Sequence, residues 1–285
     1  MCFVDDASLA AHHVSRRSIL GAGLAVGAAL ATGGRSLLLP GMAEGAETAP
    51  ASGGPGAAGV NFTWFGTNGW EISFGGKTIL FDPWFNRFTS GFLQNKLDHN
   101  AVLPAETTLI DAHVKKADQI LIGHGHWDHF ADIPYIAKKT NAMVIGSETH
   151  ANLLRAAGVP EGKIVQVKGG EYMQFDGYTI EVFPSVHSMG GTKKYAVPGH
   201  LVTPPATPPT KVGDLPEGDT LVYVLTIGGK YTVFLMSSGN YVERAITGLK
   251  PDVALVAPLS TRRSLRCRCR RKPRAPRRLS PRGSS

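Results

Sequence analysis

"HGHWDHF", residues 124–130, sets three histidines and an aspartate within seven positions. It follows the apolar run "ADQILIG" at 117–123, which reads as a short buried strand. His124 and His126 stand two apart in the loop after that strand, so both imidazoles can turn to one side. Asp128 and His129 follow on the loop's next turn. Imidazole and carboxylate in one short segment suit zinc, with iron or manganese as the alternatives. A chance cluster of surface histidines has no reason to sit at the end of an apolar strand, so the segment reads as a metal loop.

Working outward, hairpins and strand–helix units alternate. "VNFTWF" (60–65) and "WEISFGGKTILFDP" (70–83) alternate apolar and polar residues, and Gly75-Gly76 sits where a hairpin turns. Residues 83–110 show no regular pattern. After the metal loop, Asp132 is placed to cap a short helix running to about Lys139, and "AMVIGS" (142–147) is a strand. Ser147 opens a second helix that Gly158 closes, and "KIVQV" is the next strand. "YMQFDGYTIEVFPSVHS" turns at Asp176-Gly177, and a loop rich in Pro and Gly spans 188–218. "TLVYVLTIGGKYTVFLMSSGN" repeats the strand, Gly-Gly, strand pattern; "YVERAITGL" is a helix and "DVALVAP" a strand. This order predicts an α/β fold of sheets covered by helices. His124, His187 and Asn240 each follow a strand, so they can meet on one rim of the sheets.

The loop resembles the HxHxDH signature of the metallo-β-lactamase superfamily, and the resemblance runs from about Val60 to Pro258. It implies an αββα sandwich with a metal site at its rim. It implies that His124, His126 and the later His187 hold a first metal, and that Asp128 and His129 serve a second. Asp82, in "ILFDP", resembles the family's early aspartate that buttresses the metal loop. The opening "WFGTNGWEISFGGKTILFDPWF" is similar to the branch of ascorbate-phosphate lactonases and phospholipase-D-like phosphodiesterases. True β-lactamases with two zinc ions often carry Arg after the motif's aspartate, or a core cysteine; this chain has His129 and no cysteine between residues 3 and 266.

Two departures bear on the second metal. Where the family places a bridging aspartate after glycine, this chain has Gly239-Asn240, and a neutral amide oxygen bridges two cations poorly. The family's last histidine is also missing, because no histidine follows His200. The expectation is therefore one firmly held zinc and a second site short of ligands, with Asn240 at most a weak donor. His99, His113, His150 and His200 read as surface histidines, His200 being the nearest substitute.

The chain of 285 residues divides into four parts. Residues 1–49 read as a twin-arginine signal, with Arg16-Arg17 before a Gly/Ala-rich apolar stretch, and the start of a linker. That stretch is too short to span a bilayer comfortably. Residues 50–59 are flexible linker, 60–260 the folded domain, and 261–285 a disordered arginine-rich tail. The tail holds eleven of the 30 Lys and Arg and no acid, which leaves 19 basic against 22 acidic residues elsewhere. The folded part thus gives no electrostatic reason to expect nucleic acid. "CRCRRKPRAPRR" breaks from the preceding pattern just after a strand, which suits a shifted reading frame and a sandwich lacking its last strand–helix unit.

Together these features predict an exported zinc hydrolase acting on a small-molecule or lipid-like ester, lactone or phosphodiester. Asp128 would orient the attacking water or take its proton. Its partners would be that substrate and the twin-arginine export machinery, with membrane contact only through an uncleaved signal. A binding protein without turnover, and a polyanion-binding protein acting through its tail, are the rival readings.

Overall fold

The computed structural model describes residues 59–189 and 194–257. The signal, the disordered tail and the missing final unit expected from the sequence lie outside the described residues.

Two mixed sheets face each other. The first has the order β1-β2-β3-β4-β5-β6. It starts as an antiparallel meander of β1 (Asn61–Gly66), β2 (Gly69–Phe74) and β3 (Lys77–Phe81). Gly75 and Gly76 form the β2–β3 turn, both with positive φ, as the sequence indicated. β4 (Gln119–Leu121), β5 (Met143–Gly146) and β6 (Ile164–Gln166) then add in parallel. Parallel neighbours need crossovers, and helices supply them. They are α1 (Thr108–His113), α2 (Trp127–Phe130), α3 (Ile133–Thr140) and α4 (Glu148–Ala156). The second sheet comprises β7 (Tyr172–Phe175), β8 (Tyr178–Pro184), β9 (Leu221–Ile227), β10 (Tyr231–Met236) and β11 (Val253–Val256). Its order is β11-β10-β9-β8-β7, with only the β10–β11 pair parallel. A short α5 (Glu243–Ile246) links β10 to β11, where the sequence had suggested a helix twice that length.

The period-2 alternation of each strand decides which core it feeds. Ile79 and Phe81 of β3, Leu121 of β4, and Leu221, Tyr223 and Leu225 of β9 point between the sheets. Leu80 and Ile120 point the other way, into a layer with Trp127, Phe130, Ile133, Leu153 and Leu154 from the helices. On the far side, Val222, Val224, Phe234 and Met236 pack with Ile246 and Leu249. This is the α/β fold of sheets covered by helices that the sequence pattern predicts, in the αββα sandwich that the resemblance implies.

Three local expectations are corrected. Asp128 and His129 are not in a loop but inside α2, because Trp127 and Phe130, three apart, both bury in the helical layer. Asp132 begins α3 but makes no side-chain cap. Its buried carboxylate instead accepts the backbone N–H groups of Phe85 (2.5 Å) and Asn86 (3.0 Å), tying the segment after β3 to the α2–α3 corner. His150 is not a surface residue: it is fully buried in the first turn of α4. Its Nδ1 accepts the Ser147 N–H at 3.0 Å, so it caps the helix it belongs to.

Burial pushes the His150 imidazole down to about 3, from an ordinary 6.5. The unfolded chain therefore binds a proton that the folded chain refuses. This contribution to stability is whole above about pH 6.5 and is lost as the pH falls toward 3. In His150→Gln, the slope of unfolding free energy against pH in that window should fall by about 1.4 kcal/mol per unit. Chemical denaturation at a series of pH values measures it, and an unchanged slope would contradict the assignment.

Candidate metal centre

The site forms where β4, β8 and β10 end on the same rim. The chain continues past the last ladder pair of each strand to deliver a side chain, three residues on for His124 after β4 and His187 after β8, and one and two residues on for Ser237 and Ser238 after β10. The chain at Gly123 must pass against β10. A Cβ there would lie 2.1 Å from Ser237 Oγ and 2.8 Å from Asp82 Oδ2, so only glycine allows it. At Gly125 a Cβ would lie 2.3 Å from the Pro216 carbonyl oxygen.

Four imidazoles converge inside the protein. The His124 ring centre is 3.8 Å from that of His129, 4.4 Å from His187 and 5.0 Å from His126. His124, His126 and His187 each offer a ring nitrogen within 4.8 Å of the others. Asp82, His124 and His129 form a second such group. All of these residues are buried.

The nitrogens that face away from the cluster are engaged, and this orients the rest. His187 Nδ1 donates to the Ser188 carbonyl at 2.6 Å, which leaves its Nε2 with a free lone pair. His124 Nδ1 is held by Ser237 Oγ at 2.8 Å. The two Nε2 atoms thus face each other at 3.2 Å. Two imidazole nitrogens bound tetrahedrally to one zinc stand about 3.3 Å apart. The donor set therefore fits zinc. His126 turns its Nε2 to the Val197 carbonyl at 3.1 Å.

Asp82 lies beneath His129, in a backbone conformation with φ of 44°. Its Oδ1 accepts the Gly123 N–H at 2.7 Å, and its Oδ2 meets His129 Nδ1 at 2.8 Å and the Asn68 amide at 3.4 Å. Both oxygens are thus occupied. Asp128 Oδ2 lies 3.4 Å from His129 Nε2. Asn240 is exposed. Its Oδ1 accepts the Tyr241 N–H at 3.0 Å, and its Nδ2 reaches the His187 carbonyl at 3.5 Å. His200 is also exposed, 3.6 Å from Asp219.

Charge is divided within the cluster. Burial lowers His126 to about 4 and His187 to about 3, and burial together with the charge on His129 holds His124 well below its usual value. All three are neutral at neutral pH, the form in which imidazole ligates a metal. Burial also opposes charge on His129, but Asp128 and Asp82 outweigh it and raise that histidine to about 9. The two carboxylates respond differently. Burial raises Asp82 despite His129, whereas for Asp128 the pull of His129 overcomes burial and keeps it ionised.

Sequence reasoning missed Asn68, Ser188, Ser237 and Ser238. Ser238 Oγ accepts the Ser188 N–H at 2.7 Å and so sets the chain beside His187. The only signal for the two later serines was their place just after the strand now seen as β10, in "SSGN".

The profile of the β-lactamase superfamily domain matches residues 61–258. A UPF0173 metal-dependent hydrolase of Myxococcus xanthus is 30% identical over 234 residues, covering 81% of this chain and 72% of the relative. Another, from Polynucleobacter asymbioticus, is 28% identical over 221 residues, covering 74% and 68%. Among solved structures, Igni18, a metallo hydrolase from Ignicoccus hospitalis, is 20% identical with a TM-score of 0.45, over 68% of this chain and 69% of that one. The chain belongs to the β-lactamase superfamily and, within it, to the family of the UPF0173 metal-dependent hydrolases.

Proposed function

We propose that this protein hydrolyses a small-molecule or lipid-like ester, lactone or phosphodiester, with zinc held by His124, His126 and His187. The observation that carries this reading is the pair of Nε2 atoms of His124 and His187 at 3.2 Å, a spacing that matches two ligands of one tetrahedral zinc. Zinc bound there supplies Lewis-acid activation of water and of the scissile bond. The chain's own residues do the rest. Asp128, held ionised by His129, takes a proton from the attacking water. His129 is fixed between Asp82 and Asp128, so Asp128 keeps one orientation. Asp82 acts by orienting His129 and the Gly123 backbone. Iron or manganese in place of zinc would be held by the same three imidazoles. The lactonase and phospholipase-D-like assignment rests on the resemblance of residues 64–85, and export by the twin-arginine route rests on Arg16-Arg17 and the apolar stretch after them.

A second reading has one observation in its favour. Asn240 stands where a bridging carboxylate is expected, and its amide oxygen is spent on Tyr241. A site with a single metal and no second cation would suit a binding protein without turnover.

Assay of the full zinc-loaded chain separates the two. p-Nitrophenyl esters, lactones and bis(p-nitrophenyl) phosphate serve as substrates. Turnover of at least one class, reduced more than about a hundredfold in His126→Ala, is the expected result. A folded, metal-loaded chain that turns over none of them would favour the binding protein. Asn240→Asp places a carboxylate beside His187 and should add a second transition to a zinc titration. A titration matching that of the parent would show that position 240 does not reach a second metal.

A further inference from the structure

We propose that Thr149 and Asn152, buried in α4 behind the metal loop, are positioning residues that set the ring of His126 through the strap of residues 197–201. The inference rests on the reading of His126 as a zinc ligand.

The first link is a clamp on one residue of the strap. Thr149 Oγ1 accepts the Leu201 N–H at 3.0 Å, and Asn152 Nδ2 donates to the Leu201 carbonyl at 2.7 Å. Arg155 Nη1 donates to Asn152 Oδ1 at 2.8 Å, which fixes which end of the amide faces Leu201. Thr149 and Asn152 are 1% and 3% exposed, in a helix that otherwise packs Leu153 and Leu154 into the apolar layer. Polar groups so placed destabilise unless they are paired, and each is paired to the strap.

The second link runs from the strap to the metal loop. Gly199 accepts the Gly218 N–H at 3.1 Å, Val197 accepts the Glu217 N–H at 2.8 Å, and Glu217 accepts the Gly125 N–H at 2.8 Å. The Val197 carbonyl also meets His126 Nε2 at 3.1 Å. A carbonyl can only accept, so this contact puts the hydrogen on Nε2 and leaves the Nδ1 lone pair for the metal. The Val197 N–H lies farther from the same nitrogen, at 3.4 Å, and a protonated nitrogen cannot accept from it. The shorter contact decides the tautomer. Among the three histidines, His126 alone takes its orientation from the strap. His124 leans on Ser237, and His187 on the Ser188 carbonyl.

The test uses the full chain and zinc alone. Thr149→Val keeps the shape and removes the acceptor; Thr149→Ser restores it; Asn152→Leu removes the donor. Zinc affinity is read by competition with a chromophoric chelator, and the ring tautomers of the metal-free protein by nitrogen-15 NMR. Expected are a folded chain with Nε2–H on His126, an affinity about tenfold weaker in Thr149→Val and Asn152→Leu, and parent affinity in Thr149→Ser. The His126 signals should shift while those of His124 and His187 stay. Unchanged affinity and an unchanged His126 ring in the folded variants would overturn the proposal. Equal disturbance of all three histidines would do the same. Should the variants fail to fold, the parent still decides: a His126 protonated on Nδ1 contradicts the proposal. A parent that binds no zinc defeats the reading of the site itself, which is a separate result.

Discussion

The candidate metal site depends on closing four imidazoles together away from water. His124 has three other histidine rings within 5.0 Å of its centre and is 1% exposed. Buried imidazoles are tolerated only when their polar atoms are paired and their charge is suppressed or matched. The structure meets both conditions. Each ring has one nitrogen fixed: Ser237 for His124, the Val197 carbonyl for His126, the Ser188 carbonyl for His187, and Asp82 for His129. Only His129 carries charge, between two carboxylates. His124, His126 and His187 then each offer a ring nitrogen within 4.8 Å of the others.

This requirement explains features that look unrelated. Ser237 follows β10, Ser188 follows β8 and Asp82 follows β3, so the partners come from the ends of both sheets. The two sheets must therefore stack in register for the site to exist. The missing side chains at Gly123 and Gly125 let the loop approach β10 and Pro216 closely enough to receive those bonds. Asn68, in the turn between β1 and β2, bonds both Asp82 and the Met236 carbonyl, so even the first hairpin is stitched to the rim.

Much of this was legible in the sequence. The Gly-Gly turns, the strand alternation and the HxHxDH spacing give the sandwich and the cluster, because they are local patterns with one physical meaning. The second nitrogens were not legible. Ser188, Ser237 and Val197 offer a carbonyl or hydroxyl that any sequence contains, and only the meeting of distant strands gives them a role. His150 was misplaced for the same reason. A lone histidine near a helix start carries no mark of burial, and it is the contact with Gly146 and Gly125 that encloses it. The α2 helix is only four residues long, and its Trp127–Phe130 spacing is too short a pattern to mark a helix without the apolar layer that buries both side chains.

The central claim is that three neutral histidines hold one metal. Elemental analysis of zinc, iron and manganese in the full, folded chain, alongside His124→Ala, tests it most directly. The account predicts about one zinc per chain, lost in the variant with the fold retained. A folded chain that carries no metal after equilibration with zinc, or a variant that keeps its full complement, would contradict it.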